Sequence, residues 1–243
     1  MKTGDAAPQP VMSGYAARRE HVLLIAVSCT HPAATCFCAS MGTGPGVTRG
    51  HDVALTELGD RFMVHAETPA GTALLDALHL PAASEAEVAA ASAAVDAAAG
   101  VMQRHLDTSD LPGLLHDQVE SKRWDEVAAR CLSCTNCTMV CPTCFCHTVA
   151  DVTAIDGVVT QRVRQWDSCF SYEHAHTHGK NFRPHIRDRY RQWLTHKLAS
   201  WIEQFGTSGC VGCGRCIAWC PAGIDLTEEV AAIRARSSAG GAT

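Results

Sequence analysis

Two cysteine runs constrain this chain more than any other feature. Cys131, Cys134, Cys137 and Cys141, followed by Pro142, space as C-x2-C-x2-C-x3-C-P. Cys210, Cys213, Cys216 and Cys220, followed by Pro221, repeat that spacing. Gaps of two residues let a tight loop wrap three thiolates around one iron–sulfur cubane. The fourth cysteine lies a turn further on and points away. The proline after it lacks an N–H and has a fixed φ, so the chain leaves the site there. In paired runs of this kind the fourth cysteine ligates the other cluster. The spacing therefore assigns a first 4Fe-4S cluster to Cys131, Cys134, Cys137 and Cys220, and a second to Cys210, Cys213, Cys216 and Cys141. Zinc ribbons present two separated C-x2-C knuckles rather than four crowded cysteines, which argues against a pair of zinc sites.

The chain has 243 residues and fourteen cysteines. Its N-terminus carries no apolar stretch of the secretory kind, so the cysteines point to metal or redox use in a cytoplasmic protein rather than to a disulfide framework. A formal net charge of −5 leaves no broad basic surface for nucleic acid. No apolar run approaches the roughly 20 residues of a membrane span.

The expected fold class is α+β: a small N-terminal α/β segment joined to a C-terminal, mainly helical ferredoxin-type domain with two 4Fe-4S clusters. Residues 1–14 read as a flexible leader or a shortened start. Residues 15–80 are the α/β segment, which also holds Cys29, Cys36 and Cys38. Within it HVLLIAV (residues 21–27) reads as a buried strand and RFMVHAE (residues 61–67) as a second strand. The glycine-rich SMGTGPG between them lacks the lysine and hydroxyl of a phosphate-binding loop and reads as a tight turn beside the preceding cysteines. Residues 81–123 form a helical connector, started by Ser84 and Glu87 at capping-box spacing and striped by Val88, Ala91, Val95, Ala98, Met102 and Leu106.

Residues 124–236 form the dicluster domain and residues 237–243 a disordered tail. The long gap between the two motifs holds a strong amphipathic helix over residues 188–205, which suggests an all-helical arrangement. Its Trp193, Trp201 and Phe205 are placed to shield the clusters and help set potential. A second helix is expected from about Leu226 to Arg236, begun by Asp225 and Glu228. Residues 156–169 read as a short hairpin or an extended loop. Arg130 and Arg215 adjoin ligands, either favouring the reduced clusters or lying solvated at the surface.

Six cysteines remain: Cys29, Cys36, Cys38, Cys144, Cys146 and Cys169. The tetrapeptide TCFC occurs twice, at residues 35–38 and 143–146. One reading has Cys29, Cys36 and Cys38 helping to bind a third cluster, with a fourth ligand from Cys144, Cys146 or Cys169. The others are packed free thiols or a redox-active pair. His174, His176 and His178 alternate within YEHAHTHGK, which reads as a polar loop.

At these residues the chain resembles a known family. TCFCASMGTGPG, RCLSCTNCTMVCPTCFC, WDSCFSYEHAHTHG, RYRQWLTHKL and GCVGCGRCIAWCPAGID are similar to the iron–sulfur beta subunit of cytoplasmic nickel–iron hydrogenases (sulfhydrogenases) and to the dicluster iron–sulfur subunit of anaerobic sulfite reductase. The resemblance covers about residues 15–235. It implies a non-catalytic electron-transfer subunit of an oxidoreductase complex. Such a subunit passes electrons between a flavin-containing NAD(P)H reductase subunit and a catalytic partner, either a nickel–iron hydrogenase or a sirohaem sulfite reductase. Family members carry a further N-terminal region before the strand at His21, which bears on how this chain would dock. The alternatives from the residues themselves are a self-contained, cluster-dependent disulfide or sulfur reductase using the extra cysteines, and a binding module that the clusters only stabilise. Nothing in the sequence reads as a flavin or nicotinamide site.

Overall fold

A computed structural model describes residues 13–240. Most of the expected leader lies outside the described residues, and so does the end of the expected tail. The chain divides into two units. The first holds the described residues up to Thr30 together with Gly46–Ala97, and the second holds His31–Pro45 and the chain from Ala98 on. Residues 31–45 therefore leave the N-terminal segment to which composition assigned them. Cys29 falls in the first unit, Cys36 and Cys38 in the second.

The first unit opens with helix α1 (Ser13–Arg19) and centres on a three-stranded sheet of β1 (Ile25–Ser28), β2 (Val53–Leu58) and β3 (Arg61–Ala66), in that order. β1 runs parallel to β2, and β3 antiparallel to it. The expected buried strand thus forms, but it is shorter and exposed: Ile25 and Val27 are 52% and 59% accessible. The reason is its position. β1 is an edge strand bonded to β2 alone, whereas helix α2 (Pro69–Leu78) packs against β3.

Asp52 holds this unit together. Its carboxylate accepts from the Leu24 N–H at 2.7 Å and from the Thr68 hydroxyl at 2.7 Å. Thr68 in turn caps α2 by accepting from the Gly71 N–H at 3.2 Å. Gly71 has to be glycine, because a Cβ there would sit 2.1 Å from the Asp52 carbonyl oxygen. The Ser84–Glu87 capping box closes in both directions, Ser84 N to Glu87 Oε2 at 2.9 Å and Glu87 N to Ser84 Oγ at 3.3 Å. Helix α3 (Glu85–Gly100) follows it. The connector helix ends at Gly100, short of the stripe's Met102 and Leu106.

In the second unit, helices α4 (Leu111–Asp117), α5 (Arg123–Ala128), α6 (Ile186–Thr195), α7 (Trp201–Phe205) and α8 (Leu226–Gly240) surround one core. Leu115, Trp124, Val127, Leu194, Leu198 and Ile233 are fully buried in it, each worth about 1.5–3 kcal/mol of transfer free energy as an upper estimate. The helix expected over residues 188–205 is interrupted. α6 passes through a π-helical turn, His196–Ser200, before α7. Phe205 is exposed and does not join the shielding face.

α8 continues to Gly240, four residues into the stretch expected to be disordered. Its start is fixed by Asp225, which accepts from the Thr227 N–H and hydroxyl and from Arg104 at 2.5 Å. Burial pushes the Asp225 carboxyl up, but these donors outweigh it and hold it below the usual range. A hairpin of β4 (His147–Thr153) and β5 (Thr160–Trp166) projects from this unit and begins well before the residues expected for it. Among the described residues no helix is long and apolar enough to cross a membrane.

Candidate iron–sulfur centres

The two motifs fold into the same loop. Ser133 and Thr135 take positive φ of 51° and 69°, and Gly212 and Gly214, at equivalent positions of the second motif, take 64° and 66°. A one-turn helix then follows each: Asn136–Met139 and Arg215–Ala218. Backbone donors turn toward the first sulfur of each run, Ser133 N to Cys131 Sγ at 3.4 Å and Gly212 N to Cys210 Sγ at 3.4 Å. Ile224 N donates to Cys220 Sγ at 3.3 Å. Such bonds hold a sulfur in place and stabilise its thiolate form.

Cys131, Cys134, Cys137 and Cys220 line one cavity, with Cys216 on its wall. Burial pushes the Cys137 thiol up to about 12, with Cys131, Cys134 and Cys220 adding to it. Burial raises Cys216 as well, and there the neighbours that add are Cys210, Cys137 and Cys141. Cys210 is likewise raised, by burial and then by Cys141 and Cys213, against the pull of Lys197. Cys216, read from spacing as part of the second quartet, thus lies on the wall of the cavity that the first quartet lines.

This surrounding fits iron–sulfur clusters. Crowded thiols in an apolar pocket resist ionisation, and a cationic iron core supplies the charge that lets them ionise. Tyr190 and Trp193 line the first cavity. Tyr190 Oη and Trp193 Nε1 are buried and make no hydrogen bond within the protein, as donors provided for a sulfide-bearing group would. Among the described residues no three His, Cys, Asp or Glu side chains converge closely enough to hold a single metal ion.

The cation at the second centre is Lys197, to which neither motif's spacing points. It is 4% accessible. Its Nζ donates to Cys141 Sγ at 3.1 Å, Thr143 Oγ1 at 3.2 Å and the Gly209 carbonyl at 3.0 Å, and lies 3.8 Å from Cys144 Sγ. Burial works against the ammonium, but Cys144, Cys141 and Cys210 outweigh it and hold it above the usual lysine range. The Cys144 thiol and Lys197 in turn hold Cys141 well below the usual thiol range. The π turn contributes directly, since the carbonyl of Lys197 accepts from Gly209 N at 2.9 Å. Of the two arginines beside ligands, Arg130 pairs with the buried Glu229 at 2.5 Å, and Arg215 is exposed, in keeping with the solvated alternative.

Both TCFC segments flank the second motif. Phe37 N donates to the Gly212 carbonyl at 2.8 Å, Thr43 Oγ1 to the Val211 carbonyl at 2.8 Å, and Cys36 Sγ lies 3.7 Å from the Cys213 carbonyl. On the other TCFC, Thr143 Oγ1 donates to the Gly209 carbonyl at 2.5 Å. Glycine is required at 212 and 214 because a Cβ would lie 2.6 Å from the Cys38 backbone at one and 2.0 Å from the Thr35 carbonyl oxygen at the other. The tight turn after Cys38 is also real: a Cβ on Gly44 would lie 3.1 Å from Cys38 Sγ.

Cys144, Cys146 and Cys169 line a second cavity of about 180 Å³ with His174, but Cys36 and Cys38 are not among its walls. His174, expected in a polar loop, is half-buried and held by Asp167 through Nδ1 at 2.6 Å.

Residues 130–224 match the family model of the 4Fe-4S dicluster domain. The chain is a homologue of Sulfhydrogenase 2 subunit beta of Pyrococcus furiosus, to which it is 32% identical over 223 residues. The match takes in 90% of this chain and 65% of that protein's length, just under two thirds. No solved structure matches the chain.

Proposed function

We propose that this chain is a cytoplasmic electron-relay subunit. Cys131, Cys134, Cys137 and Cys220 hold one 4Fe-4S cluster, and Cys210, Cys213, Cys216 and Cys141 hold the other. Each cluster supplies one-electron transfer when bound. The chain's own part is to bring the two thiol sets together, keep water from the first behind Tyr190 and Trp193, and set a buried positive charge at the second through Lys197. The observation that supports the reading is that Cys216, of the second set, lies on the wall of the cavity lined by the first.

A two-electron flavin linked to a distant metal centre needs one-electron carriers between them. The partners are therefore a flavin-containing NAD(P)H reductase subunit on one side and a hydrogenase or sulfite reductase catalytic subunit on the other. The Pyrococcus relative is a sulfhydrogenase beta subunit, which favours the hydrogenase. Cys134 is exposed beside the exposed Leu132 and Met139, which gives a partner access to the first centre.

The test is reduction of the isolated chain by dithionite and by a reduced flavoprotein. Both should bleach its visible iron–sulfur absorption while no hydrogen, sulfite, sulfur or disulfide turnover follows. Steady sulfur or disulfide reduction by the chain alone would overturn the relay and restore a self-contained reductase.

A further inference from the structure

Three of the cysteines outside the two motifs come together. Cys144, Cys146 and Cys169 line the cavity of about 180 Å³, together with His174, Lys197 and Trp201. Contacts from several segments shape this cavity. Phe145, between the first two cysteines, packs edge-on against Trp201 at 5.3 Å. Asp167 N donates to the Cys146 carbonyl at 3.0 Å, closing the base of the β4–β5 hairpin and returning the chain beside Cys146. The loop carrying Cys169 is pinned on both sides: Ser168 Oγ meets Thr138 Oγ1 at 2.7 Å, and Ser133 Oγ donates to the Phe170 carbonyl at 2.9 Å.

The fourth corner is a histidine prepared as a ligand. His174 Nδ1 meets Asp167 Oδ2 at 2.6 Å. A carboxylate is only an acceptor, so Nδ1 donates to it, and Nε2 is the ring nitrogen left to bind a metal. A carboxylate orienting the far nitrogen is the usual support of a metal-bound imidazole. Three thiols and an imidazole suit zinc or an iron–sulfur body. The cavity of about 180 Å³ between them is far larger than a single ion needs, which favours the larger group.

We propose that Cys144, Cys146, Cys169 and His174 hold a third 4Fe-4S cluster, ligated by three sulfurs and one nitrogen. It adjoins the second centre. Only Pro142 and Thr143 separate Cys141 from Cys144, and Lys197 Nζ reaches both sulfurs, at 3.1 and 3.8 Å. The inference extends the relay reading and rests on it, since a third cluster lengthens the same path.

The experiment is iron and acid-labile sulfide analysis of the anaerobically reconstituted chain, with pulsed electron paramagnetic resonance of the reduced protein. With four irons per cluster, the wild type should hold about twelve irons and show a nitrogen hyperfine coupling. Cys146→Ser with Cys169→Ser should drop to about eight irons with the other two cluster signals intact. His174→Cys should keep about twelve and lose the nitrogen coupling. About eight irons in the wild type overturns the third cluster alone, and so does one zinc added to eight irons. Twelve irons without nitrogen coupling overturns His174 as ligand. Fewer than eight counts against the two-cluster reading itself.

Discussion

Lys197 offers the most quantitative test of how the protein sets its redox chemistry. Its Nζ lies 3.1 Å from Cys141 Sγ in a nearly solvent-free position. At an effective dielectric of about 20, a full charge at that separation is worth about 5 kcal/mol. An electron added to a cluster is shared over its four ligand corners, leaving about a quarter of that, about 1.3 kcal/mol, at this sulfur. For a one-electron couple that is about 60 mV. Lys197→Gln removes the charge while keeping a donor, so the potential of the second cluster should fall by about 60 mV. The sign follows from losing a cation that stabilises the more negative, reduced state. Potentiometric titration followed by electron paramagnetic resonance reads it directly, and Lys197→Arg should restore most of the shift. An unchanged potential in Lys197→Gln, with both motif clusters loaded, would refute the argument.

Other sites give independent checks. Glu229 is 1% exposed and bridges Arg123 and Arg130 at 2.6 and 2.5 Å. Glu229→Gln should cost about 3 kcal/mol, at the low end for a broken buried ion pair because both arginines stay partly hydrated, and should lower the melting temperature. Gly214→Ala puts a Cβ 2.0 Å from the Thr35 carbonyl oxygen at a φ of 66°; it should detach the first TCFC segment and reduce iron loading of the second centre. Thr135→Gly, at the equivalent place in the first motif, should instead stabilise by about 1 kcal/mol in thermal unfolding, because it relieves a left-handed φ on a β-branched residue. The Leu24 N–H, then the Thr68 hydroxyl, hold the Asp52 carboxyl below its usual range. A depressed folded-state pKa gives stability that is present above the unfolded value of 3.8 and lost as pH falls through the folded one. The protection factor of the Leu24 amide, its exchange relative to the intrinsic rate at the same pH, should therefore fall on acidification below about pH 4. Asp52→Asn should flatten that dependence.

Much of the site was legible because cluster loops are local. Three cysteines two residues apart and a proline after the fourth dictate the loop within eleven residues, and both loops fold alike. Lys197 carries a sequence signal too. It lies seven residues after Tyr190 and four after Trp193 and before Trp201, on the buried face of its helix. A lone cation in an apolar stripe marks a buried charge with a partner. Glu229, between Leu226 and Val230, carries the same signal.

What the sequence could not give rests on contacts between distant segments. Cys36 meets Cys213 across 177 positions, so no local pattern tells that residues 31–45 leave the first unit. The apolar run at residues 21–27 resembles a core strand because periodicity reports hydrophobicity and not neighbours. Whether such a strand is central or at the edge depends on which strands pair with it. His174 reads as loop because its partner, Asp167, becomes adjacent only when the intervening turn folds.

The central claim is that two adjoining thiol sets carry 4Fe-4S clusters. Mössbauer spectroscopy of the chain purified anaerobically with iron-57, alongside labile-sulfide and zinc assays on the same sample, tests it most directly. At least about eight irons per chain, in four-iron clusters with equimolar sulfide, is the predicted result. Stoichiometric zinc without acid-labile sulfide would contradict it.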